Sequence, residues 1–314
     1  MRAPDFWQHD GLWPRLLAPL GALYRASVAR KARAALPLRM DMPVVCVGNL
    51  TAGGSGKTPV AIAIAQTLIA RGRTVFFLTR GYGGTAKGPV RVTDDDSAAH
   101  VGDEALLLAR TAPVIVAADR SAGAKLARRE GADVIVMDDG HQNFSLHKDL
   151  SLVVVDGQAG FGNCRMIPAG PLREPVAQGL ARADAVIVMG DGDPGLEGFA
   201  GPVLRAHVAV DAAPLAGQSV FAFAGIGRPQ KFFDSLAAAG VRIQGTRAFA
   251  DHHPYSAAEI AALKATGLPL ATTEKDWVRL SPAQRAGIAA VPATARFDDP
   301  AALAGLLDRL GRGV

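Results

Sequence analysis

The residues best suited to chemistry stand in the stretch Val47-Gly48-Asn49-Leu50-Thr51-Ala52-Gly53-Gly54-Ser55-Gly56-Lys57-Thr58. An apolar run at 43–47 precedes its glycines and an apolar-periodic run at 60–68 follows them. Strand, glycine-rich loop and helix, in that order, form the context of a phosphate-binding P-loop. Inward-turned backbone N–H groups and the positive end of the following helix suit a polyphosphate. Thr51, Ala52, Gly53, Gly54, Ser55 and Gly56 would form the cradle. Lys57 would reach the β- and γ-phosphates, and the Thr58 hydroxyl would take a place on Mg²⁺. The usual pattern, G-x-x-x-x-G-K-[ST], has glycine where this chain has Thr51, so Gly53 and Gly54 must supply flexibility from inside the loop.

Carboxylates come next. Val134-Ile135-Val136-Met137-Asp138-Asp139-Gly140-His141-Gln142 reads as a Walker B element, an apolar strand whose terminal Asp138 or Asp139 shares Mg²⁺ with phosphate oxygens and waters. The alternative is an exposed pair at a strand end. Gly102-Asp103-Glu104 opens a helix at 103–110. Acidic residues there accept backbone N–H bonds and suit the dipole. They also place a carboxylate near a γ-phosphate, to accept a hydroxyl proton or to hold Mg²⁺. Asp251-His252-His253-Pro254 sits on a proline-bounded loop. Adjacent histidines point apart and make a poor metal pair, whereas one His beside an Asp can move or orient a proton.

Two further stretches carry candidate substrate contacts. Arg80 and Tyr82 lie in Arg80-Gly81-Tyr82-Gly83-Gly84, which otherwise reads as a glycine turn. Arg165 and Arg173 lie on a loop with three prolines, Asn163-Cys164-Arg165-Met166-Ile167-Pro168-Ala169-Gly170-Pro171-Leu172-Arg173-Glu174-Pro175. They face either an anionic group or only water. Gly225-Ile226-Gly227 before a helix at 230–239 raises a dinucleotide site, but the full fingerprint is missing.

These residues need a scaffold that ends many strands at one edge. Apolar runs at 75–78, 113–116, 134–137, 152–155 and 185–188 are short and continuous, which suits strands buried on both faces of a parallel sheet. Helix-like stretches at 60–71, 103–110 and 120–130 separate several of them. The pattern predicts a doubly wound α/β domain with ligands beyond the carboxyl ends of the strands. Residues 190–202 hold five glycines and two prolines and read as a domain edge. Strand-like runs restart at 203–210 and 220–224. The expected division is an N-terminal segment 1–40, a nucleotide-binding domain 41–200 and a smaller α/β domain 201–314.

The 314 residues include two cysteines without metal-type spacing, which fits a reducing compartment. The net charge is +5, and residues 1–40 account for all of it, with seven basic residues against two acidic. The neutral remainder argues against a nucleic-acid partner, and the basic segment argues for an anionic surface. Trp13, Leu16, Leu17, Leu20, Leu23, Tyr24 and Val28 recur at helical spacing with Arg15, Arg25, Arg30 and Lys31 around them. Pro14 suits a first helical position, and Pro19 should kink the helix or delay its start. Such a helix lies either on an anionic membrane or on the protein's own core. No run of about 20 apolar residues is present, so nothing is expected to span a bilayer.

Taken in order, these motifs resemble the tetraacyldisaccharide 4'-kinases of lipid A biosynthesis. The likeness rests on 47–59, 80–83, 102–104, 138–142, 168–174, 224–229, Asp251-His252 and Thr273-Glu274-Lys275-Asp276. The family shares Thr51, and at position 141, often Phe in the family, this chain has His. The resemblance implies ATP, Mg²⁺ and a two-domain α/β arrangement whose cleft closes around the nucleotide. It implies that Asp103 paired with His252 activates the 4'-hydroxyl of an acylated glucosamine disaccharide 1-phosphate, giving lipid IVA. It also implies peripheral attachment to the cytoplasmic face of a bacterial inner membrane through the N-terminal helix. A reading from another class, a GTP-dependent metallochaperone switch, wants an Asn/Thr-Lys-x-Asp element; Glu274-Lys275-Asp276 has the wrong spacing. A kinase acting on a lipid-independent small molecule is the third reading.

Overall fold

The computed structural model describes residues 4–311. Its strands are β1 (Val44–Gly48), β2 (Val75–Thr79), β3 (Val90–Arg91), β4 (Val114–Val116), β5 (Val134–Asp138), β6 (Leu150–Asp156), β7 (Ala185–Met189), β8 (Val203–Val210), β9 (Ser219–Ala224), β10 (Arg242–Ala248), β11 (Leu270–Thr273), β12 (Ile288–Val291) and β13 (Ala293–Phe297). A nine-stranded sheet runs β13-β8-β7-β6-β1-β5-β2-β4-β3, and a four-stranded sheet runs β10-β9-β11-β12. Within the first, only the edge strands β3 and β13 pair antiparallel. The second is parallel throughout.

The continuous apolar runs follow from cover on both faces. Every residue of β1, β2, β5 and β7 is buried. One face packs against the helix Lys57–Ala70 through Val60, Ile64 and Leu68. The other packs against the helix Arg120–Arg129 through Ala124 and Ala127. Since β1, β2 and β5 run parallel, the P-loop, Arg80 and the Asp138-Asp139 pair all emerge at one edge.

The expected boundary at 200/201 does not match the sheet. β8 follows the glycine-rich segment yet pairs with β7, so the chain leaves the first lobe only after residue 210. It returns as β13 and the helix Pro300–Asp308, whose Leu303, Leu306 and Leu307 join the first lobe's core. Sequence composition marked a loop there, and strand pairing overrode it. The second lobe comprises β9 to β12 with the helices Pro229–Ala238 and Ala257–Lys264.

At the N-terminus the helix Leu12–Ala34 passes through Pro19 and begins before it, so no delayed start occurs. Pro14 is the third helical residue rather than the first, still within the turn whose N–H groups lack helical partners. The apolar residues divide into two stripes instead of one. Pro14 and Gly21 are buried, with Leu17, Tyr24 and Val28 half-buried beside them. Trp13, Leu16, Leu20 and Leu23 face outward, 52–69% exposed. Arg2 of the basic segment lies outside the described residues. Among the described residues, no helix is long and apolar enough to cross a membrane.

The return of the chain to the first lobe is testable. Leu306 is 3% exposed, and Leu306→Ala should cost about 2–5 kcal/mol by leaving a cavity in that core. A thermal melt should fall by several degrees, at about 2–4 °C per kcal/mol for a domain of this size. A midpoint within a degree of the parent would refute the helix's place in that core.

Candidate functional site

The P-loop departs from β1 and closes on the helix beginning at Lys57. Gly56 caps that helix with φ 86°, a conformation that suits glycine. Thr51 has no positive φ. It forms a bridge with Leu172, and Ala52 N–H donates to Pro171 O at 2.8 Å. The loop therefore starts as extended backbone paired with the proline-rich segment, where glycine is unnecessary. Asn49 Nδ2 donates to Ser55 Oγ at 3.0 Å and ties the loop's two ends together.

The two strand-end aspartates have different surroundings. Asp138 is buried; Thr58 Oγ1 donates to its Oδ2 at 3.2 Å, while its Oδ1 has no hydrogen-bond partner within the protein. Burial and then the nearby charges of Glu104 and Asp139 push its carboxyl up to about 7, against the pull of Lys57 and Thr58. An orphaned buried oxygen beside a hydroxyl and further carboxylates is a donor set that suits a divalent cation. Asp139 is instead engaged: Arg173 Nη1 lies 2.7 Å and Lys57 Nζ 3.8 Å from its Oδ1. Burial would raise its carboxyl, but Lys57 and Arg173 outweigh that and hold it low. Of the pair, Asp138 keeps the free oxygen. Among the described residues no cluster of three or more His, Cys, Asp and Glu forms a metal site, which is compatible with an ion that takes most of its ligands from phosphate and water.

Asp103 sits where the lobes meet. It opens the helix Asp103–Ala109 after Gly102, whose φ is 89° and where an added Cβ would stand only 2.6 Å from Tyr82 O. Its Oδ1 accepts from the Glu104 N–H at 3.0 Å. Its Oδ2 accepts from His252 Nδ1 at 2.9 Å, and from Arg279 Nε at 2.9 Å and Nη2 at 2.5 Å. Burial would raise this carboxyl; the His252 hydrogen bond and the charges of Lys275 and Arg279 overcome it and hold it far below the usual range. His252 has φ 59°, and its N–H donates to Gly225 O at 3.1 Å. The expected contact between Asp103 and His252 is therefore present in the structure, across 149 residues of chain.

Other candidates are distributed less simply. Arg80 and Tyr82 are exposed at the carboxyl end of β2, Tyr82 to 75%. Gly81 and Gly84 beside them pack closely against the backbone before Asp103, whereas Gly83 has open space around it. Arg165 does not join the site: its Nη2 pairs with Asp10 Oδ1 at 2.9 Å, which fastens the loop to the N-terminal segment. Glu104 faces Lys275 Nζ at 3.8 Å. His141 is fully buried between Ser151 Oγ and Gly179 O, and burial lowers its ring to about 3, so it is a neutral core residue. Sequence reading missed Arg120 and Arg279. Arg120 is 4% exposed with an unpartnered Nε, and its guanidinium senses Arg80, Asp139 and Asp138. Only its place at the carboxyl end of β4 signalled it.

The geometry is that of a P-loop phosphate site with a carboxylate–histidine pair completed from a second lobe. Comparison with known proteins agrees. The family model described as tetraacyldisaccharide-1-P 4'-kinase, LpxK, matches residues 13–311. The chain is 52% identical to the tetraacyldisaccharide 4'-kinase of Paramagnetospirillum magneticum, covering 99% of each chain. It is 54% identical to that of Gluconacetobacter diazotrophicus, covering 98% of each. The crystal structure of LpxK from Aquifex aeolicus in complex with ATP superposes with a TM-score of 0.77 at 25% identity, over 95% of this chain and 99% of that one. With the match running nearly end to end, the chain belongs to the tetraacyldisaccharide 4'-kinase family.

Proposed function

We propose that this chain transfers the γ-phosphate of ATP to the 4'-hydroxyl of a tetraacylated glucosamine disaccharide 1-phosphate. Family membership supplies the reaction class. The observation that carries the residue-level reading is the contact of Asp103 with His252, on the helix whose Glu104 neighbours Asp138. The guanine-switch reading finds no support, since Glu274, Lys275 and Asp276 are engaged by Arg110, Glu104 and Arg279.

Phosphoryl transfer passes through a loose transition state, so positioning and counter-charge supply most of the catalysis. Lys57 and the P-loop amides bring positive field to the phosphates. Thr58 and Asp138 would hold Mg²⁺, with Glu104 and Asp139 close by, and the ion when bound supplies further counter-charge. Arg80, Arg120 and Arg173 stand at the same edge as candidate contacts for anionic groups. The Asp103–His252 pair takes the hydroxyl proton. Asp103 Oδ2 is already filled by three donors, which leaves Asp103 Oδ1 and His252 Nε2 as acceptors. The dyad forms only with the second lobe in place, which links proton acceptance to closure of the site.

The exposed stripe Trp13, Leu16, Leu20 and Leu23 supports peripheral contact with an anionic membrane, the arginines of the same helix meeting headgroups.

The direct test is transfer of labelled γ-phosphate from ATP to the tetraacyldisaccharide 1-phosphate in detergent micelles, with GTP and a lipid-free sugar as controls. Transfer to the lipid from ATP alone is the expected result; equal use of GTP without acceptor would sink the assignment. In that assay Lys57→Ala should lower turnover about 10²–10³-fold, the loss of one well-placed electrostatic contact. Near-parental turnover in the folded variant would remove Lys57 from the mechanism.

Asp103→Ala and His252→Ala should each lower kcat strongly and leave the KM for ATP within a few-fold. Their double variant should cost much less than the product of the single losses, as expected of groups acting as one unit. Fully multiplicative losses would show that the two act separately.

For the helix, Leu16→Asp with Leu20→Asp should weaken binding to phosphatidylglycerol vesicles while the melting temperature barely changes, because both side chains already face water. Replacing Arg15, Arg25, Arg30 and Lys31 by Gln should remove roughly 1 kcal/mol per charge and flatten the salt dependence. A sharp loss of melting temperature with unchanged vesicle binding would instead mean that this face packs on protein.

A further inference from the structure

Arg279 has no role of its own in the proposed reaction, yet two of its nitrogens reach Asp103 Oδ2, where His252 offers one. It follows the short helix Glu274–Trp277 of the second lobe, and its side chain is 6% exposed. All three guanidinium nitrogens are engaged. Nε and Nη2 reach Asp103 Oδ2 at 2.9 and 2.5 Å, and Nη1 donates to Gly225 O and Asp276 Oδ1, both at 2.9 Å. A planar fork bound on both sides cannot rotate without breaking charged hydrogen bonds.

The far side of the fork is itself fixed. Asp276 is fully buried, and Tyr255 OH donates to its Oδ1 at 2.9 Å while Thr273 Oγ1 lies 2.6 Å from its Oδ2. Gly225 passes so close that an added Cβ would stand 2.8 Å from Tyr255 Oη and 3.0 Å from Asp276 Oδ1. The carbonyl of Gly225 also accepts the His252 N–H at 3.1 Å. One residue's backbone thus holds both Arg279 and His252, the two side chains that meet Asp103 Oδ2. Among the described residues of the first lobe, only the adjacent Glu104 N–H donates to Asp103.

We infer that Arg279 is a positioning residue: it clamps the Asp103 carboxylate against His252, using the second lobe's Gly225, Tyr255 and Asp276 as a rigid seat. The inference rests on the proposed role of the Asp103–His252 pair. It differs from simple docking of the lobes, for which Arg110 is the natural comparison. Arg110 Nε meets Glu274 Oε1 at 2.7 Å across the same junction without touching Asp103, and its guanidinium lies 4.9 Å from the Trp277 ring centroid.

The test uses the full chain with ATP and the micellar lipid acceptor. Arg279→Gln should lower kcat about 10²-fold and leave the KM for ATP within about threefold, since the loss falls on orientation rather than on nucleotide binding. Combined with Asp103→Asn it should add almost nothing to the loss from Asp103→Asn alone. Arg110→Gln should keep kcat within about threefold. A multiplicative double variant, or an Arg110→Gln loss as large as that of Arg279→Gln, would overturn the positioning role in favour of lobe docking. If Arg279→Gln does not fold, Tyr255→Phe loosens the seat while keeping its packing. It should lower kcat three- to tenfold, and Asp103→Asn should mask that loss; an unmasked loss overturns the proposal. Asp103→Asn with full turnover would remove the underlying dyad reading too, whereas a silent Arg279→Gln beside an inactive Asp103→Asn removes Arg279 alone.

Discussion

Asp103 is a carboxylate shut away from water at the junction of two lobes, and an isolated charge in such a place would be untenable. It is tolerated because Arg279 and His252 supply donors from the second lobe and the Glu104 N–H supplies one from its own helix. The interaction works in both directions. Asp103 needs the second lobe to remain charged without water, and the second lobe is oriented by the carboxylate it meets. Arg110 with Glu274 and Lys275 with Glu104 reinforce the same junction. The partly exposed Arg110 pair adds little on its own. The buried contact at Asp103 sets the geometry.

A second constraint acts at the strand ends. Parallel strands deliver their carboxyl ends to one edge, and here that edge gathers Asp138, Asp139 and Glu104 within mutual influence. Like charges so placed make it costlier for one another to ionise. The chain resolves the conflict unequally. Lys57 and Arg173 neutralise Asp139, while Asp138 is left with Thr58 and one unpartnered oxygen. A site arranged in this way is incomplete without positive charge from outside, which is what a nucleotide-bound cation would bring.

Much of this was legible in the sequence because it is local. The P-loop lies on consecutive residues, and the buried strands β1, β2, β4, β5, β6 and β7 announced themselves by unbroken apolar runs, whereas the short β11 did not. The Asp103–His252 pairing came from family resemblance; no local pattern links residues 149 apart. Arg279 was invisible because its role depends on a junction between lobes, and a lone arginine after Glu274-Lys275-Asp276-Trp277 carries no periodic signal. The boundary at 200 failed for a related reason: glycine and proline mark a loop, but nothing local says which sheet the next strand joins. The pairing of Arg165 was not legible, because an arginine on a loop shows charge and not direction; Asp10 supplies the direction.

The loop at 163–175 joins these parts into one path. At one end Asn163 Nδ2 donates to Phe6 O, Trp7 Nε1 donates to Pro168 O and Arg165 pairs with Asp10, while an added Cβ on Gly21 would press on Met166 at 3.1 Å. At the other end Leu172 pairs with Thr51, and Arg173 reaches Asp139 beside Lys57. The exposed apolar stripe of the N-terminal helix and the phosphate cradle are thus connected by a short run of hydrogen-bonded, proline-stiffened backbone rather than by a flexible tether. For an acceptor that stays in a lipid surface, the height of the reacting hydroxyl above that surface must match the height of the γ-phosphate. With the proposed membrane contact, such a link would fix that height without further contacts to the acyl chains.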